Sequence, residues 1–249
     1  MNKTGAAFSV RFLRNGDQIT VVRNVIDSAG NGAALFQVVD TETGTPTPDW
    51  TKTENQPIIQ LGVRSAAGYP TEITNVAWAY DGVTLNFTYN GSNWVTANNN
   101  SSFQARINGN YYELKIVNNI ASKDVVSNKQ ISYEISYVSN AHSDSLQGSI
   151  DVLIQQAGSD SHNLQITTNL VELDASNTEA TLTAVAYYGT TPVSIGTNDY
   201  AIEWYQDNVK LSGQTGATLT VNRDMVSGGS IFVAKLLKDG NVVAQDGQR

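Results

Sequence analysis

The sequence has no cysteine, which excludes disulfides, thiolate zinc sites and thiol nucleophiles together. No apolar run approaches the roughly 20 residues that a membrane helix needs. The opening MNKTGAAFSVRFLRNGDQ carries Lys3 and has no apolar stretch of signal-peptide length before Arg11. The expectation is therefore a soluble chain made in a reducing cytoplasm, without a signal peptide and without a membrane partner. Charge is scarce at 15% of residues, and the net charge of -8 is unevenly placed. Between Lys129 and Lys210 there is neither Lys nor Arg, while Glu134, Asp144, Asp151, Asp160, Glu172, Asp174, Glu179, Asp199, Glu203 and Asp207 fall in the same span. A surface of that sign repels phosphate backbones, so no nucleic-acid partner is expected.

What is present favours β structure. Asn, Thr, Ser and Gly are abundant, and an apolar content of 40% with 8% aromatics can fill real cores. The length of 249 residues suits two β domains better than one. Residues 1–40 read as a short β meander (FSVRFLRNG, DQITVVRNV, AALFQVVD) with a tight turn at Asn15-Gly16-Asp17. Three short strands make a thin core, so this segment should either pair with strands later in the chain or dock on another protein. Residues 41–57, TETGTPTPDWTKTENQP, hold three of the five prolines and read as an extended linker. Trp50, in its middle, is expected to pack in the groove between two domains.

From Ile58 to residue 157 the runs IIQLGVRS, ITNVAWAY, TLNFTYN, FQARI, YYELKIV, QISYEISYV and GSIDVLIQQ alternate or are β-branched. Turn signals at Asp81-Gly82, Asn90-Gly91 and Asn108-Gly109-Asn110 separate them, the pattern of a β-sandwich. AGSDSHN (157–163) reads as a second linker, and residues 163–249 as a second sandwich. The fold class expected is all-β: an N-terminal meander followed by two sandwiches.

Candidate chemistry is thin. AHSDS (141–145) and SDSH (159–162) bring Ser, Asp and His together in sequence, but no G-x-S-x-G elbow accompanies them, and polar turn chemistry accounts for both. A metal site from His142, His162, Asp144 and Asp160 would need two loops to meet. The calcium-like Asp40-Thr41-Glu42-Thr43-Gly44 is incomplete and reads as a turn. Glycan sequons at Asn2, Asn86, Asn90 and Asn100 carry little weight without a signal peptide. The expectation is a non-enzyme with no cofactor and no metal.

The run AIEWYQDNVKLSG (201–213), followed by ATLTVNRD and SIFVAKLLKDG, resembles an immunoglobulin-like domain over about Leu164 to Gln245. The resemblance implies a core built on Trp204, with Ala184 and Ala234 where the disulfide-bonded family has cysteines and Phe232 at the tyrosine-corner position. More widely, WYxDxxxLxG…TLTV…DxV resembles cysteine-free modules in structural proteins of tailed bacteriophage, and LFQVVD-TETGTPTPDW-…-QPII resembles their fibre and decoration proteins. What this implies is a virion structural protein: a capsid decoration protein, head fibre or tail-associated subunit. It would dock on other virion proteins through its N-terminal strands and form a homo-oligomer, trimeric in fibres. The alternative is a carbohydrate-binding or adhesin module at a cell surface. For that reading Trp50, Trp94, Tyr111 and Tyr188 are the candidate partner or glycan contacts, with Tyr112, Tyr187 and Tyr205 as further aromatics; weak glycan binding is compatible with either reading. Trp94, at the edge of the Asn-rich loop WVTANNNSS, either contacts a ligand or caps the core.

Overall fold

The computed structural model describes residues 18–157, 161–170, 173, 177–226 and 229–248, and among these there is no α-helix. The first part of the chain forms β1 (Ile19–Ile26), β2 (Phe36–Asp40), β3 (Pro46–Thr47), β4 (Ile58–Ser65), β5 (Thr71–Tyr80), β6 (Val83–Leu85), β7 (Val95–Ala97), β8 (Asn100–Asn108), β9 (Tyr111–Ile116), β10 (Lys129–Ser139) and β11 (His142–Ala157). The second forms β12 (His162–Thr168), β13 (Glu179–Tyr188), β14 (Thr191–Pro192), β15 (Tyr200–Gln206), β16 (Val209–Lys210), β17 (Thr218–Asn222), β18 (Phe232–Lys238) and β19 (Asn241–Gln248).

Side-chain alternation builds the first sandwich. In β10, Ile131, Tyr133 and Ile135 point inward while Ser132, Glu134 and Ser136 do not. A sheet of order β1-β4-β9-β8-β7 and one of order β3-β2-β11-β10-β5-β6 enclose a single core that includes Ile59, Leu61, Phe103 and Leu114 from one side and Trp78, Ile131, Ile135 and Val152 from the other. The hairpin from β5 to β6 turns at Asp81-Gly82, whose φ angles of 50 and 81° are the left-handed pair such a tight turn requires. The β10–β11 hairpin instead turns on Asn140-Ala141, at φ 47 and 60°. An alanine there gave no turn signal in the sequence.

Of the two courses open to residues 1–40, their described strands take pairing with later ones: they do not pair with each other as a meander but complete the sheets of the first sandwich. β1 lies antiparallel to β4 along its whole length, from Ile19 opposite Ser65 to Ile26 opposite Ile58. β2 runs parallel to the end of β11, with Phe36 opposite Leu153. The two strands therefore enter different sheets, because each has an apolar side to bury: Val21 and Val25 pack on the core, as does Val39. The run FSVRFLRNG and the Asn15-Gly16 turn lie outside the described residues.

Residues 41–57 are a packed connection rather than an extended tether. Pro46 and Thr47 pair with β2 as β3, and Trp50 is fully buried. Trp50 belongs to the core of the first sandwich and also borders a pocket that Gln165, Val185 and Tyr187 of the second sandwich line, at the groove between the two domains. The cause is a polar clasp. The Gln37 side chain donates to Pro48 O (2.9 Å) and Asn119 Oδ1 (2.7 Å), and Asn119 Oδ1 accepts the Trp50 N–H at 2.7 Å.

The second sandwich pairs β12, β13, β14 and β17 in one sheet against β16-β15-β18-β19 in the other. Trp204 is fully buried, lies opposite Ala234 on β18, and shares its core with Ala184, Phe232 and Leu236. Its indole N–H donates to Gly216 O at 2.9 Å, so the one polar atom of the largest core side chain is satisfied. The hairpins at Asp207-Asn208 and Asp239-Gly240 both turn through positive φ.

The two sandwiches touch directly. Phe36, Val38 and Ala157 from the first pack with Tyr187 of the second, and the rings of Phe36 and Tyr187 are 6.2 Å apart. Gly32 is pressed against β12 so closely that a Cβ there would sit 2.5 Å from the Thr168 carbonyl carbon.

Candidate functional site

Of the aromatics that could meet a ligand, most are already committed within the protein. Trp50, Tyr112 and Tyr187 are buried. Tyr205 lies under the Lys235 ammonium, 4.2 Å from its ring centroid, and donates its hydroxyl to Glu203 at 2.8 Å. That hydrogen bond raises the Tyr205 pKa, and the same carboxylate, held by Lys210 and Tyr205, is more acidic than usual.

Trp94 is part of a row that register carries across the outer face of the first sheet. Val95 pairs with Ala105, which sets Trp94 beside Arg106. Arg106 lies opposite Glu113, Glu113 opposite Gln60, and Gln60 opposite Asn24. Arg106 and Lys115 each place their charge 4.3 Å from the Trp94 ring centroid. Beneath them Glu113 is fully buried and accepts from Arg106 Nε (2.6 Å), Gln60 Nε2 (2.6 Å) and Asn108 Nδ2 (3.0 Å). A buried carboxylate needs such donors, and Arg106 links Glu113 to the Trp94 ring. Burial and the neighbouring Arg106 both lower the Lys115 pKa. Trp94 lies on this outer face with its two cations and is not part of the apolar core.

Tyr111 and Tyr188 remain. Tyr188 is 39% exposed and stacks on His162 at 4.7 Å between centroids. His162 Nε2 is 2.8 Å from the Tyr200 hydroxyl, and Lys238 sits 4.7 Å over the Tyr200 ring. Burial, then Lys238, lowers the His162 pKa, which favours the neutral imidazole as a packing and hydrogen-bonding group.

Tyr111 lies over Gly62, its ring carbons 2.9 and 3.2 Å from where a Cβ would be. It borders a pocket of about 190 Å³ together with Val22, Asn24, Gly62, Arg64 and Asn110 of the first sandwich and Leu170 and Asn177 of the second. Asn24 is 6% exposed, and its Oδ1 has no hydrogen-bond partner among the described residues. Sequence reasoning passed over Asn24, Gln60 and Glu113. The signal available was a polar residue inside a β-branched or aromatic run (VVRNVI, IIQLGV, YYELKI).

The sequence clusters that suggested catalysis are not assembled into a triad in the described residues. His142 opens β11 at the hairpin tip, where Asp144 Oδ1 accepts the Ser145 N–H at 2.8 Å. Ser159 and Asp160 lie outside the described residues. Asp40 Oδ1 accepts the backbone N–H groups of Glu42 and Thr43, a turn that lowers its pKa. Among the described residues no three His, Asp or Glu side chains are grouped to hold a metal ion, and no helix is long and apolar enough to cross a membrane.

The described residues define an all-β protein of two packed sandwiches with several small pockets along their junction. No family model matches the chain, and no curated protein matches it.

Proposed function

We propose that the chain is a non-enzymatic structural protein of a virion, a capsid decoration protein, head fibre or tail-associated subunit of a tailed bacteriophage, made in the host cytoplasm. The observation that carries this reading is the junction between the sandwiches. Gly32 against Thr168 and Phe36 against Tyr187 hold the two domains in direct contact, which suits a part that keeps a fixed shape on a particle. The strand order β16-β15-β18-β19 facing β12-β13-β17, with Trp204 opposite Ala234, supports an immunoglobulin-like second sandwich whose apolar core does without a disulfide. Fully burying a large apolar side chain gains about 1.5–3 kcal/mol, comparable to the roughly 2–4 kcal/mol of such a bridge.

Docking through the whole N-terminal segment is narrowed by the fold. β1 and β2 complete both sheets of the first sandwich, so docking on other virion proteins and oligomer formation fall to residues 1–17 or to the sandwich surfaces. Quantitative mass spectrometry on density-purified particles from the producing culture tests the reading. A stoichiometric signal of tens to hundreds of copies is expected, and absence from particles overturns it. Deleting residues 1–17 is expected to abolish incorporation while both sandwiches fold. Unchanged incorporation would remove that segment as the docking end.

A further inference from the structure

Three Asn-Gly pairs fall in described turns, Asn31-Gly32, Asn90-Gly91 and Asn108-Gly109, and a fourth, Asn15-Gly16, lies outside the described residues. In such a pair the backbone nitrogen of the glycine can attack the side-chain carbonyl carbon of the asparagine, because no Cβ on the glycine hinders it. All three asparagines are exposed. None of the three glycine N–H groups is hydrogen-bonded within the described residues.

What separates the three is the asparagine amide. Asn31 Nδ2 donates to Asp27 Oδ2 at 3.0 Å, and Asp27 Oδ1 also accepts the Asn31 N–H at 2.9 Å. Asn108 Nδ2 donates to Oε1 of the buried Glu113 at 3.0 Å. Asn90 makes no side-chain hydrogen bond among the described residues, and its carbonyl accepts the Asn93 N–H at 3.2 Å to close the turn. An amide that must first leave a carboxylate reacts more slowly, since hydrogen bonds to charged groups are the stronger kind.

We propose that Asn90-Gly91 is a site of spontaneous deamidation by water, and that Asp27 shields Asn31-Gly32 from the same reaction. The Gly91 N–H gives up its proton, and its nitrogen bonds to Asn90 Cγ. The Cγ–Nδ2 bond breaks, and Nδ2 leaves as ammonia with that proton. Water then opens the cyclic imide at one of its two carbonyls, giving aspartate or isoaspartate. Either product adds a negative charge at the turn whose Gly91 carbonyl holds the Ile107 N–H at 3.2 Å. Isoaspartate also lengthens the main chain there by a methylene, so this hold on β8 slackens. At Asn31 the same change would set a second carboxylate against Asp27, in the turn that brings Gly32 to Thr168. Asp27 thus guards the contact between the sandwiches, and the modification falls on a turn of the first sandwich instead. The chemistry is the same whether or not the protein is particle-borne.

The experiment holds the purified full chain in mildly alkaline buffer and samples it over days for peptide mapping by mass spectrometry. Fragmentation places each gain of about 1 Da on its residue. Asn90 is expected to convert first, with Asn31 and Asn108 slower by about tenfold or more. In Asp27→Ala the Asn31 rate should rise to within about threefold of the Asn90 rate, while Asn90 keeps its own. In urea-unfolded parent the three rates should converge, which decides the question should Asp27→Ala fail to fold. A folded parent in which Asn31 or Asn108 keeps pace with Asn90 overturns the proposal. So does an Asn31 rate that folded Asp27→Ala leaves unchanged, or a spread among the three rates that survives in urea.

Discussion

The second sandwich is assembled within one continuous run of chain, from His162 to Gln248, and its hairpins are mostly local. The first sandwich draws β2 beside the end of β11, with nearly the whole domain between them in sequence. Bringing such distant segments together carries loop-closure entropy that local hairpins avoid. The two domains also differ in how they hold their largest side chains. Trp204 is fixed by one bond to a nearby backbone carbonyl, Gly216 O. Trp50 is placed through its backbone N–H, which Asn119 accepts, and Asn119 is in turn bonded by Gln37, 82 residues away in sequence. Where closure is long-range, buried polar side chains supply the register that neighbouring strands supply elsewhere.

The largest test of this contrast is truncation of the two tryptophans. Trp50→Ala and Trp204→Ala should each cost about 3–5 kcal/mol, the usual range for emptying a buried indole site. Differential scanning calorimetry should show each variant lowering one transition and leaving the other near its original temperature. A single transition lowered equally by both would mean that the sandwiches unfold together, and the contrast would fall.

Gln37 is the next step down. Its side chain is fully buried and makes four bonds: Nε2 to Pro48 O and Asn119 Oδ1, and Oε1 from the N–H groups of Ile120 and Ala121, at 2.9, 2.7, 2.9 and 2.9 Å. Gln37→Leu keeps the volume and orphans these partners, at a cost of about 2–4 kcal/mol. Gln206 is the counterpart in the second sandwich, bonded to Met225 O (2.7 Å) and Ser230 Oγ (3.1 Å) within a local stretch. Gln206→Leu should cost less, and urea titration of the pair decides it. An equal or larger loss at Gln206 would show that loop span is not what sets the cost.

The same difference decided what could be read from the sequence. Alternation in QISYEISYV and TLTAVAYY, the turn pairs Asp81-Gly82 and Asp239-Gly240, and the Trp204 strand are local patterns, and they made the all-β class legible. Gln37 and Trp50 looked like a strand end and a linker because their partners, Asn119 to Ala121, are far along the chain and no period points to them. The aromatic candidates fared likewise. Composition marked Trp94 and Tyr205 as exposed rings, but only strand register brings Arg106, Lys115 and Lys235 over them. Asn24, Gln60 and Glu113 form one row only because strand register aligns them.

The junction can be broken without touching either core. At Gly32 an added side chain would meet the Thr168 backbone at 2.5 Å and Asn169 N at 2.9 Å, which cannot yield as a flexible side chain would. Gly32→Val should cost about 1–3 kcal/mol, as overpacking does, and should separate the two domains. Small-angle scattering would record the longer, looser particle, and calorimetry would keep both transitions. A merged, unchanged profile would mean that the loop at Gly32 shifts freely and the contact is incidental.

The smallest effect at neutral pH is expected at Tyr187, which meets Phe36 in the junction. Burial pushes its pKa from 10.0 up to about 12. The folded state therefore favours the neutral phenol, and this contribution is complete below pH 10 and lost as pH rises through about 12. Tyr187→Phe keeps the ring and removes the ionisation, so at pH 7 its stability should differ from the parent by under about 1 kcal/mol. Above pH 10 the variant should hold the junction while the parent loosens, visible as a gap between their scattering profiles that opens toward pH 12. Tyr89, in the first core, is raised to about 12 by burial as well, so the parent also loses stability inside that domain. The difference between parent and variant isolates the junction from that loss. Identical alkaline behaviour in the two proteins would place the whole effect in the first core and leave the junction indifferent to Tyr187.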